Sequence, residues 1–222
     1  MKIKIENILD LNHTISRDLF MDNDEIWEVI PKIKDYIIKL IDSLDKDNYY
    51  ELFENVWVSK SAKISDSAHI DGPCIIDDNT EIRHCAYIRG GVIIGKNCVI
   101  GNSCEIKNAI IFDNCQIPHF NYIGDSIMGY HSHIGAGVIV TNLKSDGTSV
   151  NIKNNGEVIE TNLRKMGSII GNYVEVGCNS TLFPGTIIYP NTTIYPLTRV
   201  RGVISKDSIV KSENVIVRKE VR

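Results

Sequence analysis

Residues 82–106, IRHCAYIRGGVIIGKNCVIGNSCEI, carry an isoleucine at every sixth position. The same spacing extends in both directions and joins fifteen aliphatic residues: Val58, Ile64, Ile70, Ile76, Ile82, Ile88, Ile94, Ile100, Ile106, Ile170, Val176, Leu182, Ile188, Ile194 and Val200. The residue four positions after each aliphatic is usually small, as at Ala62, Ala68 and Ala86. Alternation along a flat strand would not separate an aliphatic position from a small one, whereas a coil with three six-residue sides does. The repeat therefore predicts a solenoid with about 18 residues per coil, in which the aliphatic side chains point to the axis.

The six cysteines fit the same repeat. Four of them take small-residue positions, namely Cys74, Cys98, Cys104 and, after a shortened step, Cys115. No two cysteines form the CxxC pair that is typical of a zinc site. A cytosolic chain of this length also does not need a disulfide framework. We therefore interpret these four cysteines as compact core residues.

The composition is that of an ordinary globular protein, with 222 residues, of which 43% are apolar and 23% are charged. The net charge of -4 argues against a nucleic-acid partner, which requires a basic surface. No apolar segment approaches the roughly 20 residues of a membrane span, and the N-terminus lacks the apolar stretch of a secretory signal. We therefore expect a cytoplasmic protein without a membrane or nucleic-acid partner.

The N-terminal segment, residues 1–54, differs from the repeat. Its apolar residues between Ile26 and Ile41 follow helical spacing, and Pro31 is expected to divide two helices. We expect a helical cap that covers the open end of the solenoid, because an uncovered end would expose the core. A substrate lid or an oligomer contact is the alternative.

The β-helix itself is predicted over residues 55–205. A loop at 141–167 interrupts it, and the Asn155-Gly156 pair within that loop favours a small hairpin. Loops that leave a rigid scaffold often carry function, so we favour a functional role over a tolerated surface excursion. Residues 206–222 are predicted to form a C-terminal arm.

The six-residue rhythm changes just before and within residues 117–142, IPHFNYIGDSIMGYHSHIGAGVIVTN. Steps of five residues lead from Ile106 to Ile111 and again from Ile123 to Met128, and three of the six histidines fall in this stretch. Histidine is suited to proton transfer near neutral pH, although single histidines are more often structural. We therefore expect the active site at this irregular stretch.

Arg89 and Lys107 are 18 residues apart and both directly follow an inward aliphatic residue. On an 18-residue coil they would stack on neighbouring turns, where two like charges repel each other. A bound anion such as a phosphate is one reason for such an arrangement, and two solvated surface charges are the alternative.

Residues 86–142 resemble the C-terminal acetyltransferase domain of bacterial bifunctional N-acetylglucosamine-1-phosphate uridyltransferases, and the similarity extends from about Ile82 to Val200. These enzymes belong to the hexapeptide-repeat acyltransferases. The resemblance implies a mainly β fold, the left-handed parallel β-helix. The hand comes from the resemblance alone, since parallel crossovers in general are right-handed.

The resemblance also implies roles for individual residues on the sugar side of the site. Arg89 and Lys107 match residues that bind the substrate phosphate, and Lys165 matches a further substrate lysine. Tyr122 matches a substrate contact. His133 stands where the family has a substrate-contacting asparagine, so the sugar or its orientation is expected to differ.

For the acyl side, the resemblance implies that His119 is the catalytic base and that Asn142 lies near the acetyl group. Ala136 and Cys178 fall at acetyl-CoA contacts, the latter where serine is common. These roles imply acetyl-CoA as co-substrate, no metal, and a homotrimer with acyl-CoA bound between neighbouring β-helices.

The expected function is therefore acetyl-CoA-dependent N-acylation of an amino-sugar phosphate, resembling glucosamine 1-phosphate, in the UDP-N-acetylglucosamine pathway. One alternative is a non-catalytic module that binds a sugar phosphate or sugar nucleotide. Another is a zinc enzyme resembling the gamma-carbonic anhydrases, which would use His119, His131 and His133, although their spacing does not resemble that family's ligands. Nucleotidyl transfer is not expected, because residues 1–54 contain no glycine for a phosphate-binding loop.

Overall fold

The computed structural model describes residues 3–220 and shows a parallel β-solenoid with three strand series, which we call faces A, B and C. Each coil passes through one strand of each face, and equivalent strands of successive coils pair in parallel. The prediction of a mainly β, parallel β-helix is confirmed.

The strands of face A are β2 (Val56–Ser59), β5 (Cys74–Ile76), β8 (Val92–Ile94), the second halves of β10 (Glu105–Ile111) and β12 (Tyr122–Met128), β17 (Ser168–Ile170), β20 (Thr186–Ile188) and β23 (Val203–Ile204). The strands of face B are β3 (Lys63–Ile64), β6 (Glu81–Ile82), β9 (Val99–Asn102), β11 (Gln116–His119), β13 (His133–Ile134), β18 (Glu175–Val176), β21 (Thr193–Ile194) and β24 (Ser208–Ser212). The strands of face C are β4 (His69–Asp71), β7 (Tyr87–Arg89), the first halves of β10 and β12, β14 (Ile139–Val140), β19 (Thr181–Leu182) and β22 (Arg199–Val200).

The residues at the small-residue positions are compact, and several of them also donate side-chain hydrogen bonds between coils. The thiol of Cys104 donates to the carbonyl of Ile117 on the next coil (3.2 Å), and the Thr80 hydroxyl donates to the carbonyl of Gly95 (2.6 Å). Cys74, Cys98, Cys104 and Cys115 are free thiols in the core, as predicted. Burial raises the pKa of the Cys74 thiol, so it stays protonated as a core residue does.

The two five-residue steps have a clear structural counterpart. At each of them one strand, β10 or β12, runs without a break from face C into face A. The turn is made by a single residue in the left-handed conformation, Asn108 (φ 47°) or Asp125 (φ 48°). Asparagine and aspartate tolerate this conformation better than most residues. These two coils therefore have a tighter edge between faces C and A than their neighbours.

The N-terminal segment contains α1 (Arg17–Met21), α2 (Ile33–Ser43) and three 3₁₀ helices, Ile5–Asn7, Leu11–His13 and Ile26–Lys32. Pro31 lies inside the last of these, one residue before its junction with α2, and does not itself separate two helices. The predicted position over the open end is wrong, because α2 contacts β5, β8 and β10 along the side of the solenoid. The cause is the outward surface of face A, where buried isoleucines such as Ile93 and Ile110 form a second core with the helices. Beside the first coil, β1 (Tyr49–Phe53) pairs antiparallel with β2.

The 141–167 insertion contains the predicted hairpin, formed by β15 (Asn151–Asn154) and β16 (Glu157–Glu160). It folds back onto β20 and β23 of face A and so continues the cover begun by the helices. At the C-terminus, β24 still pairs in parallel with β21, and β25 (Val215–Arg218) turns back antiparallel onto β24. The solenoid therefore extends past the predicted boundary at residue 205. Within residues 3–220, no helix combines the length and apolar character needed to cross a bilayer.

Candidate functional site

The outward residues at the end of each face C strand form one column along the edge shared with face A. Ile88 pairs with Ile106, which places Arg89 beside Lys107 as their separation of 18 predicts. Lys107 in turn pairs with Gly124 on the next coil. Adjacent parallel strands lie about 4.8 Å apart, so the two cationic side chains start close together.

Arg89 is partly neutralised by its neighbours. Its guanidinium donates to Glu105 Oε1 at 2.6 Å, and it lies 5.8 Å from the centre of the Tyr87 ring. The side chains of both ion-pair partners are more than a third exposed, so the pair contributes little to stability. Glu105 holds the guanidinium by this hydrogen bond and was not among the predicted site residues.

The returning end of the insertion brings a third cation to this edge. A backbone bridge joins Leu143 and Lys165, and the Met166 N–H donates to the Asn142 carbonyl at 3.0 Å. Burial lowers the pKa of Lys107 below its ordinary 10.5, the ammonium of Lys165 and the guanidinium of Arg89 lower it further, and the carboxylate of Asp125 opposes them. The structure thus brings together the three residues that the resemblance assigns to a phosphate.

Asp125 connects several segments at this edge through hydrogen bonds. Only 5% of it is exposed, and its carboxylate accepts from the side-chain amides of Asn108 (2.8 Å) and Asn142. Its carbonyl accepts from the Gly167 N–H, which anchors the end of the insertion. Asn108 also donates to the carbonyl of Ile30 in the N-terminal segment. Asp125 was not among the predicted site residues, although it lies within the five-residue step from Ile123 to Met128.

Tyr122 and Asn142 are adjacent above Gly124. A Cβ placed on Gly124 would lie 2.5 Å from the Tyr122 hydroxyl and 2.7 Å from Asn142 Nδ2, so a larger residue would displace the ends of these two side chains. Burial raises the pKa of the Tyr122 phenol, and the carboxylates of Asp125 and Glu105 add to the effect. The hydroxyl is therefore protonated at neutral pH and can donate to a ligand.

The remaining predicted site residues lie at or near the opposite edge, between faces B and C. His119 ends β11 and is exposed, and its carbonyl accepts from the Gly137 N–H on the next coil. Its own N–H donates to the buried Asn121, which also donates to the Gly135 carbonyl at 2.7 Å. Ala136 and Cys178 follow on the next two coils along this edge, where the Ala136 carbonyl accepts from the Asn179 N–H.

His133 lies on face B itself. It pairs with Glu175 in the strand register, and its Nδ1 is 2.8 Å from Glu175 Oε2. The chain therefore divides the predicted residues between two groups. Arg89, Lys107, Tyr122, Asn142 and Lys165 form the first, on face C and its edge with face A, whereas His119, His133, Ala136 and Cys178 form the second, on face B and its edge with face C.

The zinc alternative required His119, His131 and His133 to converge. Among residues 3–220, no three His, Cys, Asp or Glu side chains are grouped so that they could hold a metal ion. His131 instead stacks on Tyr173 at another edge, with the ring centres 5.5 Å apart.

Residues 70–195 match the family model of the GMPPB C-terminal domain. The chain belongs to this family. The matched region contains the five residues of the first group and the four residues of the second group. It therefore covers both groups of predicted site residues.

Similar proteins confirm the resemblance that the repeat region carries. The bifunctional protein GlmU of Methanococcus aeolicus is 35% identical over 196 residues, which are 80% of this chain and 47% of that protein. A bifunctional sugar-1-phosphate nucleotidylyltransferase/acetyltransferase of Sulfurisphaera tokodaii is 32% identical over 159 residues, which are 64% of this chain and 40% of that protein. The chain spans about half the length, or less, of these relatives.

Among solved structures, one neighbour is a mutant of AntD, an N-acyltransferase from Bacillus cereus in complex with dTDP and coenzyme A. It aligns with 79% of this chain and 92% of its own, at 17% identity and a TM-score of 0.41.

Proposed function

We propose that the protein transfers an acetyl group from acetyl-CoA to the amino group of an amino-sugar phosphate. Glucosamine 1-phosphate is the reference substrate, which would connect the reaction to UDP-N-acetylglucosamine synthesis. The observation that carries this proposal is the group of three cations, Arg89, Lys107 and Lys165, beside the Tyr122–Asn142 pair. The name of the Sulfurisphaera relative, a bifunctional sugar-1-phosphate nucleotidylyltransferase/acetyltransferase, supports the same chemistry.

The phosphate would bind to the column. Arg89 offers a planar guanidinium that suits a two-pronged grip on phosphate oxygens, and Lys107 and Lys165 add point charges. Burial lowers the pKa of Lys107 most, and the positive charges of Lys165 and Arg89 lower it further. A bound dianion would relieve the repulsion among these charges, so the site is matched to phosphate more closely than to a neutral sugar.

Acyl transfer would begin when the substrate amine attacks the thioester carbonyl carbon of acetyl-CoA. His119 would accept the proton that the amine loses, and the new C–N bond would form as the carbonyl oxygen becomes an oxyanion. The Asn142 amide and a backbone N–H would stabilise that charge. Collapse of the intermediate would break the C–S bond and release the thiol of CoA, which takes up a proton. Ala136 and Cys178 would line the path of the CoA arm along the edge between faces B and C.

A complete site would require a second protomer. In one chain, the residues proposed to bind the phosphate and the residues around His119 lie at different edges of the solenoid. Large apolar side chains are exposed at the His119 edge, including Phe120 (62% exposed) and Leu197 (78% exposed). Exposed apolar surface of this kind is typical of protein contacts. We propose a homotrimer in which His119 and His133 of one protomer meet Arg89 and Lys107 of its neighbour.

The direct test is thiol release from acetyl-CoA in the presence of a panel of amino-sugar phosphates. His119→Ala should abolish turnover and leave the fold intact, as judged by circular dichroism. His131→Ala is the matched control, because His131 is also exposed but lies at another edge, and it should keep wild-type turnover. Unchanged turnover in His119→Ala would refute the assignment of the base.

The shared site has its own test. Co-refolding inactive His119→Ala with impaired Lys107→Ala should restore wild-type turnover at about one quarter of the sites, because each site would draw one group of residues from each of two symmetry-related protomers. Absence of any restored turnover in a demonstrated mixed oligomer would contradict the shared arrangement.

A second candidate function is binding of a sugar phosphate or sugar nucleotide without catalysis. It is favoured by His133, which replaces the expected asparagine and is engaged by Glu175 at 2.8 Å. Under this alternative, an amino-sugar phosphate binds to the wild-type protein, and acetyl-CoA releases no thiol in its presence.

A further inference from the structure

A second concave site lies beside the insertion, at the end of the solenoid away from Arg89. It is a cavity of about 480 Å³ between the hairpin and the last coils of face C, within the range of ligand pockets. We call it the hairpin pocket and define it by the residues that the argument uses: Lys144, Lys153, Phe183, Pro184 and Arg201. None of them has a role in the proposed transfer reaction.

Two cations meet at the wall of this pocket. A Cβ placed on Gly202 would lie 2.6 Å from the Lys153 carbonyl oxygen and 3.2 Å from the Lys153 Cβ, so Lys153 crosses directly above the residue that follows Arg201. Lys144, by contrast, pairs with Asp146 at 3.5 Å. Across residues 3–220, neither Lys153 nor Arg201 has a carboxylate within 4.0 Å. Two adjacent, unneutralised cations in a concavity favour an anionic ligand with more than one charge.

The pocket also offers an aromatic and a proline surface. Leu182 pairs with Val200, so Phe183 and Arg201 are neighbours on successive coils, and Pro184 follows Phe183. An aromatic side chain next to a guanidinium is the combination that binds the flat face of a nucleobase.

The hairpin that forms one wall is held firmly. Val150 and Ile152 are fully buried in the outer core on face A. Because side chains alternate along a strand, Asn151 and Lys153 point away from that core, and both line the pocket. The pocket is therefore pre-formed by packing, which lowers the entropy cost of binding.

The strand register connects the pocket to the proposed phosphate site. Lys107, Gly124, Thr141, Phe183 and Arg201 occupy one outward column on five successive coils. Four steps of about 4.8 Å separate the first from the last, or roughly 19 Å. The pocket thus lies on the same edge of the same face as the phosphate site, and its near end at Thr141 adjoins Asn142.

We propose that the hairpin pocket binds a nucleoside diphosphate group, with its phosphates on Lys153 and Arg201 and its base against Phe183. This group has two sources, the ADP portion of a CoA thioester and the nucleotide of a nucleotide sugar. Assignment of the source rests on the proposed function, whereas binding of the nucleotide itself does not.

The binding test uses isothermal titration of ADP and UDP into the full chain. The Lys153→Ala/Arg201→Ala variant should lose at least about tenfold in affinity, because it removes both charged hydrogen bonds to the phosphates. The matched control is Lys206→Ala/Lys211→Ala, which removes two exposed cations from the C-terminal part of the chain and should bind as the wild type does. Phe183→Leu should keep the affinity for pyrophosphate and lose the preference for ADP or UDP over pyrophosphate. Absence of nucleotide binding in the wild type, or unchanged binding in the double variant, would overturn the proposal.

The source is decided by competition in the thiol-release assay. Competition of ADP with acetyl-CoA assigns the pocket to the CoA arm, and competition of UDP with the sugar substrate assigns it to a nucleotide sugar. If neither nucleotide competes while both bind, the pocket is a nucleotide site separate from turnover, which still supports the proposal. If thiol release is absent in all conditions, the proposed function fails, and the titration still decides the pocket.

Discussion

Faces A and C are built from one repeat, and their inward residues have the same character, yet their outward residues have opposite chemistry. The outward residues of face A are buried aliphatics packed under the helices and the hairpin: Ile75, Ile93, Ile110, Ile127, Ile169 and Ile187. The outward column of face C carries Arg89 and Lys107, which remain accessible. The inward residues therefore determine the coil, and the outward residues decide whether a face packs against the chain or presents a site to a ligand.

The largest difference between the faces should appear within one strand, β10. Ile110→Ala removes an outward side chain of face A that is fully buried beneath α2, and it should lower the free energy of unfolding by about 2–5 kcal/mol. Lys107→Ala, three residues earlier but on face C, should change it by no more than about 0.5 kcal/mol. Urea unfolding followed by circular dichroism measures both. Equal losses would contradict the division of roles between the two faces.

A smaller effect, on ligand binding, should come from Lys107→Met. This change keeps most of the side-chain volume and removes the charge that the proposed phosphate requires. One charged hydrogen bond contributes about 1.5–3 kcal/mol, so kcat/KM for the sugar phosphate should fall by about 10–100-fold. Lys96→Met is the control, since Lys96 pairs with Asp78 away from this edge. A sugar-phosphate kcat/KM that falls equally in both variants would show that overall charge, and not the column, attracts the substrate.

Asp125→Asn should test how the edge is held in place. Asparagine tolerates the left-handed conformation at φ 48°, so the change isolates the carboxylate. The new side-chain N–H₂ would face one of the two amides that now donate to Asp125, so that one donor would lose its acceptor. We expect this to lower the free energy of unfolding by about 1–3 kcal/mol. Because Asn142 would lose its orientation, kcat should fall more than the KM for acetyl-CoA rises. A change confined to KM would assign Asp125 a role in binding alone.

The mildest perturbation is alkaline pH. The lowered pKa of Lys107 means that the protonated lysine destabilises the folded state. This destabilisation is lost as the pH rises through the pKa of Lys107 in the folded protein, because the lysine then loses its proton. The phosphate site loses one positive charge over the same range. Sugar-phosphate affinity should therefore decline with a midpoint below the ordinary lysine value of 10.5. Lys107→Arg should keep its affinity to higher pH, because a guanidinium stays charged above pH of about 12. Titrations at several pH values measure both proteins, and coincident profiles would exclude Lys107 as the titrating group.

Much of the fold follows from local pattern. The aliphatic residue at every sixth position and the small residue four places later predict the coil, because each position meets the same environment on every turn. Asn155-Gly156 predicts the hairpin turn for the same local reason. The stacking of Arg89 on Lys107 also follows from arithmetic along the chain, since residues separated by one coil must be neighbours.

The position of the N-terminal helices could not be derived in this way, although a signal was present. Runs such as Cys74–Ile76 and Val92–Ile94 are apolar on consecutive residues, which is typical of parallel strands that are buried on both sides. That pattern indicates that another part of the chain covers face A, but it does not identify the segment. Contacts across the molecule decide that the cover is α2 and the hairpin.

The sequence by itself therefore determined the coil and the stacking of Arg89 on Lys107, because both depend on separations along the chain. Only the tertiary structure decided that Asp125 joins Asn108 to Asn142, that Lys165 returns beside Lys107, and that Lys153 crosses above Gly202. These contacts depend on how an insertion and an N-terminal segment fold back onto the solenoid. That return minimises exposed apolar surface over the whole molecule, so no periodicity in the chain can encode it.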